Sequence, residues 1–292
     1  MKNNKKILIA GGDYRQTYLA AYLLKYFEKV YTLGFTLAKK YEGAVVLNDI
    51  SELSEPLDIL ILPPVATNDG KTVNTPFFDR EVLLTDVLNK LKPGAWVFGG
   101  NLKDDLLSEI DFRGLCAYDY FGDEELTLLN TVPTAEGALK IALEETPFVL
   151  SGAKVSVLGY GRVGETVAKL FKAVGADVLV FDRKSLKRTR AHLDGLAACE
   201  FNDERIKKSD IIINTVPVLV LDKEKLKKIK RDTVIIDLAS KPGGVDLSYA
   251  KLRGMNVIWA LSLPGKAAPV TSGEIIAKTI LSKLSTGGDL LG

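Results

Sequence analysis

The 292-residue sequence predicts an α/β protein made of two doubly wound domains. Short β-branched runs alternate with helical segments along the chain, a pattern typical of parallel sheets covered by helices on both faces. Two of these runs lead into a glycine turn and then a helix, at residues 11–16 and 159–164. The chain also exceeds the roughly 250 residues at which a single hydrophobic core stops growing.

We expect the two domains to be divided as follows. The N-terminal domain covers residues 1–130 and is completed by about residues 270–292, where a terminal helix packs back on it. A connecting helix lies within residues 131–150. The C-terminal domain covers residues 151–269.

Composition and charge are those of a soluble globular protein, with 47% hydrophobic and 26% charged residues. A net charge of +2 indicates neither a nucleic-acid partner nor a membrane surface. Cys116 and Cys199 provide no disulfide framework. No signal peptide is visible, and no apolar run approaches the roughly 20 residues of a membrane-spanning helix. We therefore expect a cytoplasmic protein.

The stretch from Lys154 to Asp182 contains each part of a dinucleotide-binding βαβ unit, in order: strand, G-x-G-x-x-G turn, amphipathic helix, second strand and terminal acid. Gly159 makes the tight turn, Gly161 lets a pyrophosphate approach the backbone, and Gly164 lets helix and strand pack closely. The amides at the helix N-terminus would hold the phosphates. The alternative is a turn with a purely structural role. We predict a Rossmann domain that binds a nicotinamide dinucleotide through Gly159, Tyr160, Gly161, Arg162, Val163 and Gly164.

The sequence around Asp182 leaves the choice between NAD and NADP open. Asp182 follows Gly159 by 23 residues, close to the roughly 20 expected for an acid that binds the adenosine ribose hydroxyls, which favours NAD. Residues 183–190 contain five basic residues, the groups that a 2′-phosphate needs, although a solvated helix would have the same composition. Because Arg183 and Lys184 directly follow the strand, we favour NADP. Asp182 must then turn away or pair with one of these cations.

Three further strands end in polar or glycine-rich turns at the sheet edge where cofactors bind in such domains. We expect the first of these turns to line the nicotinamide side of the cofactor with Asn214, Thr215, Val216 and Pro217. The second turn carries Ser240 and Lys241, and the third carries Lys266.

The N-terminal glycine turn, Gly11-Gly12, lacks the third glycine and the acid of a dinucleotide site. It can be a purely structural part of a second parallel-sheet domain. The more specific interpretation is that its amides and the following helix N-terminus hold an anionic substrate group, with Arg15 as the charged clamp.

Small polar residues also precede a predicted helix at the domain junction. Thr134 is the expected N-cap of a helix over residues 135–145, in which Glu136 supports the first turn. Together with Asn130 and Thr131, Thr134 also forms a suitable cradle for a carboxylate.

Six segments carry a resemblance to a known family: GGDYRQ at 11–16, NTVPTAEG at 130–137, GYGRVG at 159–164, INTVP at 213–217, DLASKPGG at 237–244 and LPGKAAP at 263–269. In this order they resemble the dipicolinate synthase A subunits, over about residues 7–285. The domain order also resembles D-2-hydroxyacid dehydrogenases and S-adenosylhomocysteine hydrolases.

The resemblance to the dipicolinate synthase A subunits implies a particular reaction. It implies oxidation of dihydrodipicolinate, or of its hydrated precursor from the lysine pathway, to dipicolinate in the mother cell of a sporulating bacterium. It further implies NADP as the acceptor and, as partner, the flavoprotein-like B subunit of dipicolinate synthase. We also expect a homo-oligomer and no bound metal.

The distribution of histidine supports this reaction over oxidation of a 2-hydroxy acid. The chain has one histidine, His192, which lies beside the basic run and is predicted to be on a surface helix. Oxidation of an alcohol to a ketone without a general base is difficult at neutral pH. A dihydropyridine is easier to oxidise, because aromatisation drives hydride departure and positioning can supply much of the rate.

Residue roles follow as hypotheses. Arg15 and Lys241 bind the two substrate carboxylates, helped by Thr134, Ser240 and the amides of Gly11 and Gly12. Lys266 and Glu136 are candidate proton acceptors. Two alternatives remain: another NAD(P)-dependent oxidoreductase of the 2-hydroxyacid dehydrogenase type, and a non-catalytic regulator that binds the dinucleotide.

Overall fold

The computed structural model describes residues 2–36 and 43–286. The chain divides into two compact units, Met1–Leu129 with Pro269–Gly292, and Asn130–Ala268. The predicted N-terminal domain pieces, 1–130 and 270–292, include residues 1, 37–42 and 287–292, which lie outside the described residues. Among the described helices, none combines the length and the apolar character needed to cross a bilayer.

The N-terminal unit is built on a six-stranded parallel sheet with the order β3-β2-β1-β4-β5-β6. Short 3₁₀ segments lie at Ile50–Glu52 and Tyr120–Gly122. In chain order its elements before the crossing to the second unit are β1 (Asn3–Ala10), α1 (Tyr14–Leu23), β2 (Phe27–Leu33), β3 (Val45–Leu47), β4 (Leu57–Ile61), α2 (Leu84–Leu88), β5 (Leu91–Gly99), α3 (Asp104–Phe112), β6 (Cys116–Asp119) and α4 (Glu124–Leu129).

The C-terminal unit repeats this sheet order as β12-β11-β10-β7-β8-β9, again with all strands parallel. A 3₁₀ segment lies at Glu204–Lys208. Its elements are α5 (Thr131–Glu145), β7 (Lys154–Leu158), α6 (Arg162–Ala173), β8 (Asp177–Phe181), α7 (Ser185–Leu193), β9 (Ala197–Cys199), β10 (Ile211–Asn214), α8 (Lys223–Leu226), β11 (Val234–Asp237), α9 (Leu247–Leu252), β12 (Val257–Trp259) and α10 (Leu263–Ala267).

Each sheet is buried on both faces, as its near-continuous apolar strands predict. In β1, Leu8 and Ala10 join the core on one face, whereas Ile7 and Ile9 join the core on the other. In both units the first strand lies between the second and the fourth strands of that unit, so the strand order reverses beside β1 and beside β7. Ligands bind at such switch points, beyond the carboxyl ends of the strands. The predicted fold class, two doubly wound domains, is confirmed.

The last described helix, α11 (Pro269–Thr286), belongs to the N-terminal unit. Ile276, Ile280 and Leu284 are fully buried in the core beside β1. Gly273 permits close contact with α1, because a methyl group there would lie 2.4 Å from the Arg15 carbonyl oxygen. The prediction of a terminal helix that packs back on the first domain is confirmed.

Helix α5 begins four residues earlier than its sequence suggests. It starts at Thr131 after an N-cap at Asn130, so Thr134 lies within the helix and is not its N-cap. Pro133 occupies the first turn, where no backbone N–H is needed for an intrahelical hydrogen bond. The expected start at residue 135 was therefore wrong, whereas the end at Glu145 agrees with the structure.

Candidate functional site

The turn between β7 and α6 requires glycine at two positions for steric reasons. Gly159 has a φ of +90°, and a methyl group there would lie 2.7 Å from the Thr215 hydroxyl oxygen. That hydroxyl donates to the Leu158 carbonyl at 2.8 Å, which fixes it in place. A methyl group at Gly164 would lie 2.0 Å from the Gly159 carbonyl oxygen. Helix α6 can therefore approach the turn only because residue 164 has no side chain.

Gly161, the middle glycine, lies in open surroundings. A methyl group there would have one neighbour within 4 Å, the Lys187 ammonium nitrogen at 3.7 Å. Gly161 is also the N-cap of α6, and no side chain caps the helix there. Backbone N–H groups at an uncapped helix start, beside an accessible glycine, form a site for an anion such as a pyrophosphate. The residues of this turn fit a dinucleotide.

Tyr160 supports the turn from below. Its side chain is buried, and its hydroxyl donates to Asp194 at 2.7 Å. Burial and this hydrogen bond raise the pKa of Tyr160. Of the other two predicted turn residues, Val163 packs against the core and the side chain of Arg162 is exposed. The backbone of residue 160, rather than its ring, is therefore the part that a ligand can meet.

Asp182 follows β8 and is buried, with 5% of its surface exposed. Its two oxygens accept hydrogen bonds from the protein's own backbone, from Tyr160 N–H at 2.8 Å and from Lys184 N–H at 2.9 Å. The side chains of Arg183 and Lys184 are exposed. The carboxylate thus faces the glycine turn, while these two cations face outward.

Two basic residues of the following helix have other partners. Arg188 donates to the carbonyl oxygens of Asp182 and Arg183 and to Glu200. The Lys187 ammonium nitrogen lies 4.0 Å from the Asp182 carboxylate. Arg188 therefore has a structural role, and Lys187 is placed between Gly161 and Asp182.

Asn214 ends β10 but does not face outward as predicted. It is fully buried, and its amide nitrogen donates to Asp237 at 2.7 Å and to the Val216 carbonyl at 3.0 Å. Its oxygen accepts from Val216 N–H. The expectation that the Asn214 side chain lines the nicotinamide is therefore wrong, because the neighbouring strand end uses it. The following residues Thr215 and Val216 are partly exposed, and Pro217 is exposed.

The remaining predicted groups of the C-terminal unit are mostly exposed. Ser240, Lys241, Lys266 and Glu136 lie on the surface, and none of the three charged side chains has an ion-pair partner within residues 2–36 and 43–286. The Thr134 hydroxyl donates to the Asn130 carbonyl at 2.7 Å, one turn back in its own helix. That proton is consequently not directed at a ligand.

The glycine turn of the N-terminal unit differs from the one after β7, because other parts of the chain use its amides. Gly11 N–H donates to the Leu33 carbonyl at 2.8 Å, and Gly12 N–H donates to the Asn74 carbonyl at 2.9 Å. A methyl group at Gly11 would lie 2.6 Å from that Asn74 oxygen. The segment 73–75, which we call the strap, lies over this turn. The two amides are therefore not offered to a substrate anion as predicted.

Arg15 lies at the start of α1 and is buried, with 6% of its surface exposed. Its Nε and Nη2 groups donate to the Asp13 carboxylate at 2.9 and 2.7 Å, and its Nη1 group makes no hydrogen bond within the described residues. Nearby, the hydroxyl of the fully buried Tyr120 donates to the Leu62 carbonyl, and burial raises the pKa of Tyr120. The Gln16 amide is buried without a hydrogen-bond partner.

The sequence analysis had not assigned Asp13, Gln16, Tyr120 or Asp237 to a site. For Asp13 and Asp237 a signal exists, since each is a polar residue at or just after the end of a buried strand. The positions of Gln16 and Tyr120 depend on contacts that span the sheet.

Fold and site together define a class of protein: a two-domain α/β protein of the dehydrogenase type with a nicotinamide dinucleotide domain. Residues 136–242 match the family model described as "D-isomer specific 2-hydroxyacid dehydrogenase, NAD binding domain". Residues 6–121 match the family model for the N-terminal domain of the dipicolinate synthase A subunit.

Similarity over the whole chain is more specific. The chain is 36% identical to the dipicolinate synthase A subunit of Bacillus subtilis, over 97% of both proteins. It superposes on the crystal structure of the dipicolinate synthase A subunit from Bacillus halodurans with a TM-score of 0.88 and 32% identity, covering 97% of this chain and 99% of that one. The crystal structure of the Bacillus subtilis protein gives a TM-score of 0.84 with 34% identity, covering 98% and 97%. This chain belongs to the family of dipicolinate synthase A subunits, which confirms the predicted resemblance.

Proposed function

We propose that this chain oxidises dihydrodipicolinate, or its hydrated precursor, to dipicolinate by hydride transfer to NADP. The observation that carries the proposal is the match to the dipicolinate synthase A subunit over 97% of the chain, in a molecule whose second glycine turn is open. The first part indicates the product, and the second part supplies a place for a dinucleotide.

Support for NADP over NAD comes from the end of β8. Asp182 accepts hydrogen bonds from two backbone N–H groups of the protein, and it lies inward of the turn. The side chains of Arg183 and Lys184 are exposed beside it, with no ion-pair partner in the described part of the chain. Two unpaired cations next to a carboxylate that is already bonded suit a 2′-phosphate better than two ribose hydroxyls.

The chemistry asks little of the side chains. The bound oxidised nicotinamide supplies a hydride acceptor, and aromatisation supplies the driving force. The chain holds the pyrophosphate on the amides that follow Gly161, and it positions the substrate by its carboxylates. Arg15 in the N-terminal unit and Lys241 with Ser240 in the C-terminal unit are the proposed carboxylate-binding groups, now without the amides of Gly11 and Gly12.

The source of the proton acceptor follows from the same exposed groups. We propose Glu136 or Lys266, both exposed in the C-terminal unit. His192 is not a candidate, because its Nδ1 lies 3.1 Å from the Leu196 carbonyl within the end of α7. Only a weak base is needed, since aromatisation makes the leaving proton acidic.

The Bacillus subtilis relative bears the name of the A component of an enzyme, and this name supports a partner. We propose that the chain works with the flavoprotein-like B subunit of dipicolinate synthase and forms a homo-oligomer. We further propose that it acts in the cytoplasm of the mother cell of a sporulating bacterium. Nothing in the charge of the molecule calls for a nucleic acid, since the net charge is +2.

The test uses the purified chain with a freshly prepared dihydrodipicolinate precursor and either NADP or NAD, with and without the B subunit. The absorbance of the reduced nicotinamide and of the aromatic product should rise together, and faster with NADP. Binding of cofactor without any pyridine product, whether the B subunit is present or absent, would overturn the proposed reaction. Turnover of a 2-hydroxy acid in its place would assign the chain to the hydroxyacid dehydrogenase type.

The cofactor preference has its own test. The double variant Arg183→Ser/Lys184→Ser should raise the Kd for NADP by at least about tenfold and leave the Kd for NAD within error, because only the 2′-phosphate loses charged donors. Lys172→Ser, at an exposed position on the last turn of α6, is the matched control for general surface charge. Equal losses for both cofactors would contradict the assignment to the 2′-phosphate.

A further inference from the structure

The last residue of β11, Asp237, is a buried carboxylate that no cation neutralises. Its exposed surface is 1%. Three N–H groups donate to it: the Asn214 amide at 2.7 Å, Ala239 at 3.1 Å and Gly244 at 2.8 Å. Among the residues that the structure describes, no Lys, Arg or His lies within ion-pair distance of it. Its charge is therefore balanced by dipoles alone.

The loop after β11 is built around this carboxylate. Gly243 has a φ of +84°, and a methyl group there would lie 3.1 Å from an Asp237 oxygen. A methyl group at Gly244 would lie 2.2 Å from the Asn214 amide nitrogen. Two consecutive glycines thus let the backbone close over the acid without a covering side chain. A buried charge with no counterion keeps a long-range field, because neither solvent nor a cation screens it.

The position of Asp237 on the sheet determines which part of a dinucleotide this field reaches. Asp237 and Asn214 are register partners at the carboxyl ends of β11 and β10. The glycine turn and Asp182 lie on the other side of the switch point, after β7 and β8. A dinucleotide that binds across such a switch point has its adenosine half over β7 and β8 and its nicotinamide half over β10 and β11.

We propose that Asp237 selects the oxidation state of the bound cofactor. The oxidised nicotinamide ring carries a positive charge and the reduced ring is neutral, so a buried anion beneath it stabilises the oxidised form alone. The chain then favours the form that accepts a hydride and releases the form that has received one. This inference rests on the proposed binding of a nicotinamide dinucleotide, and it adds a residue that touches neither the phosphates nor the ribose.

The experiment measures four dissociation constants on the full chain: those of the oxidised and reduced forms of NADP and of NAD. Titration calorimetry serves for the oxidised forms, and nicotinamide fluorescence serves for the reduced forms. In the wild type the oxidised form of each pair should bind at least as tightly as the reduced form. Asp237→Asn should weaken the oxidised form about tenfold relative to the reduced form in both pairs.

Two variants separate charge from structure. Asn214→Ser removes a hydrogen-bonding partner from the same network without a change of charge, so it should weaken both oxidation states equally. Asp237→Glu keeps the charge but disturbs the loop, so it should weaken both forms while the ratio of their Kd values stays near that of the wild type. A ratio that shifts as much in Asn214→Ser as in Asp237→Asn would overturn the inference.

The outcomes also separate this inference from the proposed function. A wild-type chain that binds no dinucleotide refutes both. A chain that binds dinucleotides but has the same ratio of Kd values in the wild type and in Asp237→Asn refutes the role of Asp237 alone. If Asp237→Asn does not fold, the wild-type measurement decides, because a reduced form bound at least about tenfold more tightly than the oxidised form is incompatible with an anion beneath the ring.

Discussion

The glycine turns after β1 and β7 occupy the same place in two sheets of the same strand order, and they differ in what lies over them. After β7 the middle glycine, Gly161, has one atom within 4 Å of its absent side chain, and that atom belongs to a flexible lysine. After β1, Gly11 lies against the strap, and the N–H group of Gly12 donates to it. One turn is open to a ligand, whereas the protein's own chain covers the other.

The comparison shows that topology alone does not make a dinucleotide site. Both turns provide a helix N-terminus beside the switch point of a parallel sheet, where anions bind readily. In the N-terminal unit a backbone carbonyl, that of Asn74, takes one of the N–H groups that an anion would need. The group that remains for an anion is a guanidinium, Arg15, which holds its charge on a side chain.

The largest effect that tests this comparison is expected at Gly164. Gly164→Ala should cost about 1–3 kcal/mol of the free energy of unfolding and abolish dinucleotide binding, because its methyl group would overlap the Gly159 carbonyl and force α6 away from the turn. Gly161→Ala should cost only about 0.5–1 kcal/mol, the usual penalty of Ala at an N-cap, yet still weaken dinucleotide binding by blocking the approach of the pyrophosphate. Urea unfolding and calorimetric titration measure the two quantities.

The companion substitution lies in the other turn. Gly11→Ala meets a similar obstacle, the Asn74 carbonyl, so it should also lower the free energy of unfolding. Its Kd for the dinucleotide should equal that of the wild type, because this turn binds no dinucleotide. Weaker dinucleotide binding in Gly11→Ala, or unchanged binding in Gly164→Ala, would contradict the division of roles between the turns.

The next effect concerns Arg15, the charged group of the covered turn. Arg15→Ala should raise the KM for the substrate by about tenfold to hundredfold and leave the Kd of the cofactor unchanged, because a charge-assisted contact to a carboxylate is lost. Asp13→Asn is the matched control, since it breaks the same ion pair but keeps the guanidinium and an N-cap acceptor. Steady-state kinetics in which Arg15→Ala has the wild-type KM would remove Arg15 from the substrate site.

The sequence predicted the βαβ unit at 154–182 because the steric requirements of that unit are local. Each glycine meets atoms that are near in the chain or belong to the next strand end, so the pattern itself carries the geometry. The strap over Gly11 is different. It comes from more than 60 residues further along the chain, and no local pattern announces that its carbonyl will take the Gly12 amide.

The same distinction explains the two errors in the C-terminal unit. Asn214 was expected to face a ligand because it ends a strand, but its orientation depends on the parallel register that places Asp237 beside it. Helix α5 was expected to start late because Pro133 resembles a boundary, although proline fits the first turn of a helix. Strand existence follows from composition, whereas the partners at strand ends follow from pairing that a single sequence does not display.

The smallest effect compares two tyrosines, each of which donates to an aspartate, one in each unit. Tyr118 donates to Asp123 at 2.8 Å and Tyr160 donates to Asp194 at 2.7 Å. Burial and the aspartate raise the pKa of Tyr118 from 10.0 to about 12 and also raise the pKa of Tyr160. Because the folded state holds these protons more strongly, their stabilisation is complete below pH 10 and is lost as the pH rises towards 12.

Either Tyr→Phe substitution should therefore lower the free energy of unfolding at neutral pH by about 1 kcal/mol and reduce its decline at alkaline pH, as urea unfolding at several pH values would show. Only Tyr160→Phe should also weaken dinucleotide binding, because Tyr160 lies within the open turn and its backbone N–H holds Asp182. Equal dinucleotide affinity in the two variants would mean that the Tyr160–Asp194 bond stabilises the C-terminal unit without shaping its turn. The open turn would then owe its geometry to the glycines and to Asp182.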